Sequence, residues 1–149
     1  MSAPTLPIIR PMSEEDLDAV LAIEQASFPA PWKRDHFLHE IAAPHSYPLV
    51  ALLDGRLAGY VCLMSLFEEA QILNIAVAAD HRGRGVALAL MEVATALALE
   101  KGAETLALEV RSTNRAAIAL YERLGFRRCG IRASYYEGTD DAVLMKKVL

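Results

Sequence analysis

The hexapeptide Arg82-Gly83-Arg84-Gly85-Val86-Ala87 sets two cationic side chains and two glycines directly ahead of an apolar, helix-forming run. A helix start carries unpaired N–H groups and the positive end of the helix dipole, so phosphates settle there when the backbone lets them approach. Gly83 and Gly85 give that access, Ala87 keeps the first turn small, and Arg82 and Arg84 add charge for an anionic ligand. A nucleoside-triphosphate loop is excluded, because no Gly-Lys-Ser/Thr follows. A dinucleotide fingerprint would begin at Gly83-x-Gly85, but Leu88 stands where the third glycine belongs, and the segment sits mid-chain. The remaining alternative is a flexible turn with solvated arginines.

Downstream, Glu109 lies within Leu108-Glu109-Val110-Arg111, followed by Asn114 and, seven residues later, Tyr121. A carboxylate can take up a proton and a phenol can give one. On residue type and spacing alone, Glu109 reads as well as a solvated strand glutamate, and Tyr121 as a core tyrosine beside Ala117 and Leu124. Asn114 suits a helix N-cap.

The apolar periodicity supplies the elements that must position these groups. Residues 6–10 read as a short strand. Ser13 with Asp16 three residues on resembles a capping arrangement ahead of a helix at 14–27, whose period is set by Leu17, Val20, Leu21 and Glu24. Phe28-Pro29-Ala30-Pro31-Trp32 breaks it, and a second helix covers 33–42, stopped by Pro44. Strands at 47–53 and 57–67 flank Asp54-Gly55, a strong hairpin signal, and 71–77 gives another strand. Val86, Leu90, Val93 and Leu97 share one face of a helix over 84–100, with Gly102 as its C-terminal cap. Residues 105–110 alternate as a strand, with Leu106, Leu108 and Val110 on one face and Thr105, Ala107 and Glu109 on the other. Ser112-Thr113-Asn114 caps a helix running to Leu124, and strands at 126–131 and 142–148 follow. With no linker, repeat or low-complexity stretch, residues 1–149 read as one mixed α/β domain.

Composition narrows the function classes. A chain of 149 residues fits one domain with a real core. Its net charge of −4 argues against nucleic-acid binding and permits a cationic partner. Cys62 and Cys129 belong to no CxxC or Cys/His cluster, so neither a disulfide framework nor a zinc site is expected. The N-terminus lacks a basic segment followed by an apolar run, and no apolar run approaches the ~18 residues of a membrane span. A cytoplasmic protein with no membrane or direct nucleic-acid partner is expected.

Asn74-Ile75-Ala76-Val77 followed by Arg82-x-x-Gly85-x-Ala87 resembles the Gln/Arg-x-x-Gly-x-Gly/Ala motif of the GNAT superfamily of N-acetyltransferases. Leu108-Glu109-Val110-Arg111-Ser112-x-Asn114-x-x-Ala117-Ile118-x-Leu120-Tyr121-Glu122-x-Leu124-Gly125-Phe126 resembles the second half of that fold's core. Within the superfamily the chain resembles the bacterial RimI type, which acetylates ribosomal-protein N-terminal alanines. Ile23-Glu24-Gln25, Phe28 to Trp32, Tyr135-Tyr136 and Asp141-Ala142-Val143-Leu144-Met145 carry that finer likeness.

The resemblance implies a central, twisted, mostly antiparallel sheet of six to seven strands flanked by about four helices. It implies acetyl-CoA as co-substrate and no metal. Backbone N–H groups at Ile75, Ala76 and Val77 would face the thioester, Arg82, Gly83, Arg84, Gly85, Val86, Ala87 and Leu88 the pyrophosphate, and Asn114 coenzyme A. Glu109 is implied as general base and Tyr121 as general acid, with direct transfer in a ternary complex. Arg132, Tyr135 and Tyr136 resemble acceptor-side residues, and Trp32, after two prolines, either lines the acceptor groove or anchors the core. The implied acceptor is the basic N-terminal peptide of a small-subunit ribosomal protein beginning with alanine, bound by a monomer or weak dimer.

Weaker features are left with their plain readings. His36, His39, His45 and His81 are dispersed and read as surface residues; Glu68, Glu69, Asp140 and Asp141 either attract a basic peptide or merely solvate the surface. Ala78-Ala79 and His81 depart from the superfamily's usual residues after this strand, and the loop at 137–140 looks short. Three rivals remain open: the same chemistry on another N-terminus, a lysine or a small amine; a non-catalytic acyl-CoA-binding module; and a dinucleotide-binding domain.

Overall fold

The computed structural model describes residues 6–136, 138 and 140–149; of the short loop singled out above, residues 137 and 139 lie outside the described set. Its elements follow the expected order: β1 (Ile8–Pro11), α1 (Leu17–Ser27), α2 (Arg34–Ala42), β2 (Ser46–Leu53), β3 (Arg56–Leu66), β4 (Glu69–Val77), α3 (Val86–Glu100), β5 (Thr105–Arg111), α4 (Arg115–Arg123), β6 (Arg127–Tyr136) and β7 (Asp140–Val148). The seven strands form one sheet in the order β1-β2-β3-β4-β5-β7-β6. Every described neighbour pair is antiparallel except β4 with β5, which α3 connects as a crossover.

Alternation along β2 and β3 sorts the helices onto two faces. Leu49, Ala51 and Leu53 on β2, with Val61 and Leu63 on β3, pack with α3 and α4. Val50, Tyr60 and Cys62 point the other way, toward Leu17, Val20 and Ile23 of α1 and Phe37 of α2. Asp54 and Gly55 turn the β2–β3 hairpin with φ of 53° and 77°, the left-handed pair that a two-residue turn requires.

Two boundaries and one helix face differ from the sequence expectation for physical reasons. The helix expected from residue 14 starts as a 3-10 turn at Glu14–Asp16. There Asp16 accepts from the Ser13 N–H at 2.8 Å and forms a bidentate pair with Arg10, both contacts 2.8 Å. The Arg10 guanidinium holds the buried Asp16 carboxyl below its ordinary range. The helix expected from residue 84 starts at Val86, since Gly85 caps it at φ 79°. Its buried stripe is also corrected: Val86, Leu90, Met91, Ala94 and Ala98 face the sheet, whereas Val93 is 38% exposed.

The sheet departs from regularity where β4 and β5 stop pairing. Their parallel ladder joins only Glu69 to Ile72 with Thr105 to Leu108. On the other side of β4, Cys62 pairs with Asn74 and Leu63 with Ile72, so Leu73 is an extra residue in a bulge. A bulge bends its strand and re-aims the residues beyond it. Residues 73–77 thus continue against β3 but leave β5, and Glu109 is the first β5 residue beyond the last β4 partner.

Gly59 lets the start of α3 lie against this bent strand. A Cβ there would stand 2.8 Å from the Ala76 carbonyl oxygen and 3.1 Å from Val86 Cγ1. The backbone oxygen cannot yield without moving β4. Gly59→Ala should therefore cost about 1–3 kcal/mol and lower Tm by roughly 3–10 °C, measured by thermal denaturation. An unchanged Tm would contradict this close approach.

Candidate active site

The parting of β4 from β5 lies between two cavities. On the α3 and α4 side is a cleft of about 740 Å³, lined by Ile75, Ala76 and Val77 of β4, the loop ahead of α3, and Ala116, Ala117, Leu120 and Tyr121 of α4. On the α1 and α2 side is a groove of about 830 Å³ that includes Trp32, Glu109, Arg132, Tyr135 and Tyr136. Ser27, Phe28, Ile75, Asn114 and Tyr121 line both, so the cavities share a wall at the gap.

The first N–H of α3 to find a helical carbonyl is that of Ala89, which donates to Gly85 O at 3.0 Å. The N–H groups of Val86, Ala87 and Leu88 precede it, and all three residues line the cleft with Arg82, Gly83 and Gly85. Arg84 behaves differently: its guanidinium pairs with Asp54 at 3.1 Å and its residue does not line the cleft. Of the residues expected to hold a pyrophosphate, Arg82 is the side-chain cation that faces the space. His81, read from sequence as a surface residue, is 8% exposed, with Nδ1 3.1 Å from Asp80.

Asn114 is the N-cap of α4 and accepts from the Ala117 N–H through Oδ1 at 3.2 Å. That leaves its amide NH₂ for the shared wall. Tyr121, two turns along, is 6% exposed and packs edge-on to Phe126 at 6.0 Å. Among the described residues nothing hydrogen-bonds its hydroxyl. Burial, and secondarily Tyr136, push the phenol up to about 12, so it stays a donor at neutral pH.

Leu106, Leu108 and Val110 point into the α3 and α4 side of the core, which turns Glu109 to the groove. Glu109 and Tyr121 therefore reach the gap from opposite faces of the sheet. The Glu109 side chain is 20% exposed and pairs with Arg132 at 3.0 Å. Arg111, which lines the same groove, lies 2.8 Å from Asp140 and over the Tyr136 ring at 4.5 Å.

Trp32 fills both roles the sequence left open. It stacks on His36 at 3.7 Å, packs on Phe37 at 5.2 Å, and lines the groove. Glu68 and Glu69 sit at the other end of β4 and are no part of the groove. Asp140 is taken by Arg111, and Asp141 accepts from the Ser134 N–H at 2.9 Å. Among the described residues, the acidic ones that line the groove are Glu24, Glu40 and Glu109.

Glu24 is the principal residue that the sequence reading passed over as a site residue. It is 1% exposed and accepts from the Trp32 N–H at 2.9 Å, from Asn74 Nδ2 at 2.7 Å and from the Tyr60 hydroxyl. One carboxylate thus ties α1 to the 28–32 loop, β3 and the bulged part of β4. Burial, then the Glu24 contact, push the Tyr60 phenol far up and keep it a donor. The signal was present in the sequence, because Glu24 falls on the apolar stripe of α1, seven residues after Leu17 and four after Val20.

Among the described residues no group of three His, Cys, Asp or Glu is placed to hold a metal, and no helix is long and apolar enough to cross a membrane. A split parallel strand pair beside a phosphate-ready helix start, with a carboxylate and a phenol at the split, defines an α/β acyltransferase. The chain belongs to the acetyltransferase (GNAT) family, whose model matches residues 17–126, and it is an N-acetyltransferase. A Bacillus subtilis (strain 168) protein is 41% identical over 92% of each chain, and its name assigns it provisionally as a [ribosomal protein bS18]-alanine N-acetyltransferase. The Escherichia coli (strain K12) [ribosomal protein bS18]-alanine N-acetyltransferase is 36% identical over 92% of this chain and 94% of its own. The crystal structure of the ribosomal-protein-S18-alanine N-acetyltransferase from Escherichia coli superposes with a TM-score of 0.88 at 34% identity, covering 96% of this chain and 94% of the other.

Proposed function

We propose that this enzyme transfers the acetyl group of acetyl-CoA to the α-amine of a protein N-terminus, with an alanine-started, basic ribosomal-protein peptide as acceptor. The observation that carries the reading is the gap between β4 and β5, where the cleft and the groove share Ile75, Asn114 and Tyr121. A thioester held in the cleft and an amine in the groove would meet there without a covalent enzyme intermediate. The likeness to the bacterial bS18-alanine N-acetyltransferases supports the choice of acceptor. Glu24, Glu40 and Glu109 along the groove suit a cationic acceptor, and the reaction is read as metal-independent and cytoplasmic.

Each group has a defined task in this reading. The 86–88 N–H groups and Arg82 bind the pyrophosphate. Backbone N–H groups at 75–77, freed from β5, stabilise the charge that develops on the thioester oxygen. An α-amino group has a pKa of about 7.7–8.0, so at pH 7 most of it carries a proton that Glu109 removes directly or through water. Tyr121 then donates a hydrogen bond to the departing sulfur. Full transfer from a phenol at about 12 to a thiolate near ~8.5 runs uphill by about 5 kcal/mol. The hydroxyl therefore stabilises the thiolate; of the two protons the ammonium loses, the first leaves through Glu109 to solvent, and the second, shed by nitrogen after attack, ends on sulfur.

Mass spectrometry of a panel comprising an alanine-started basic peptide, an N-terminally blocked lysine peptide and spermidine tests this. The expected product is the N-terminally acetylated alanine peptide; acetylation of lysine or spermidine in its place overturns the acceptor assignment. Glu109→Gln should lower kcat about 10²–10⁴-fold, and Tyr121→Phe about 10–100-fold, with acetyl-CoA thermal shifts retained. A wild type that binds acetyl-CoA but acetylates nothing would instead be a non-catalytic acyl-CoA-binding module.

A further inference from the structure

The carboxylate that faces the acceptor groove already has a cation on it. Arg132 approaches Glu109 Oε1 to 3.0 Å, and the two differ sharply in environment: the Glu109 side chain is 20% exposed, that of Arg132 56%. A pair with one end so open to water is held weakly and is easily exchanged for another cation.

The segment carrying Arg132 is built to release it. Arg132 pairs with Ala142 and Tyr136 with Asp140, so three β6 residues stand opposite Asp141 alone. At the centre of this bulge Ser134 has φ 51°, with its N–H on the Asp141 carboxylate at 2.9 Å. The irregularity ends the regular ladder at Arg132, on an edge strand. A second resting place is at hand, because the Arg132 guanidinium already lies 5.1 Å from the centre of the Tyr135 ring. Arg111 contrasts in exposure: it too has a carboxylate, Asp140, and a ring, Tyr136, but its side chain is only 25% exposed.

We infer that Arg132 is a displaceable stand-in for the acceptor ammonium, occupying Glu109 while the groove is empty and yielding to the incoming amine while it keeps its contact with the Tyr135 ring. This rests on the proposed role of Glu109. Arg132 is then a positioning residue that competes with the acceptor, the reverse of a side chain that binds it. Glu109 never stands bare in the groove, and only an amine able to take over the ion pair gains the carboxylate.

The two roles give opposite signs. Steady-state kinetics with the alanine-started basic peptide at saturating acetyl-CoA are compared for wild type, Arg132→Gln and Arg132→Lys. Displacement predicts that Arg132→Gln lowers the peptide KM by about 2–10-fold, while Arg132→Lys, which keeps a cation, restores a value near wild type. In a Glu109→Gln background the Arg132→Gln effect on peptide affinity, measured by calorimetry with coenzyme A bound, should vanish. A raised or unchanged KM in Arg132→Gln, or an effect that persists without the Glu109 charge, overturns the inference. A wild type that ignores the peptide overturns the acceptor assignment instead, and the same variants are then compared on the panel amine it does acetylate. Turnover of none of the amines overturns both.

Discussion

Two parallel strands that pair for four residues and then part impose the constraint on which the rest of this molecule depends. An inner strand ordinarily spends its N–H and C=O groups on both neighbours, and leaving them unpaired inside a protein is costly. Here β4 beyond Ile72 keeps β3 and gives up β5. The molecule therefore carries a built-in demand for something with hydrogen-bonding groups to occupy the gap. The Leu73 bulge makes the departure, and its neighbours hold it. Gly59 brings the α3 start against Ala76, and Glu24 fixes Asn74 from the other face.

That arrangement separates two chemistries that must meet at one point. In the proposed reading, anion recognition belongs to the α3 and α4 side, where residues 86–88 and Arg82 line the cleft. Amine recognition belongs to the α1 and α2 side, with Glu109, Trp32 and the two tyrosines. Because adjacent β5 residues point to opposite faces, Leu108 and Val110 can close the core while Glu109 serves the groove. Tyr121 comes from the opposite face and is buried enough to remain protonated. The two cavities share Ile75, Asn114 and Tyr121 at the gap, the meeting point that the proposed direct transfer needs.

Much of this was legible in the sequence. The element order is as expected, because long apolar periods, Asp54-Gly55 and the helix-end glycines are local signals. Of the expected cofactor set, all but Arg84 line the cleft, and Trp32, Glu109, Tyr121, Arg132, Tyr135 and Tyr136 share the groove. What the sequence withheld is pairwise. Arg84 turns to Asp54, Arg132 to Glu109 and Asp140 to Arg111, partners more than twenty residues apart, while Asp141 turns to Ser134 across a bulge. The α3 stripe was misassigned because alanines, weak hydrophobic signals, carry much of its buried face. Glu24 escaped because a carboxylate at a core position looks like a lapse in the pattern until its three donors, from three different elements, are seen together.

The central claim is that the gap in β4 and the start of α3 form a single acetyl-CoA site. Amide hydrogen exchange, resolved by residue with and without saturating acetyl-CoA, tests it most directly. The expected result is slowed exchange for N–H groups within 73–77 and 86–88, with little change at 69–72, where β5 already pairs with β4. Protection that leaves 73–77 and 86–88 untouched would contradict it.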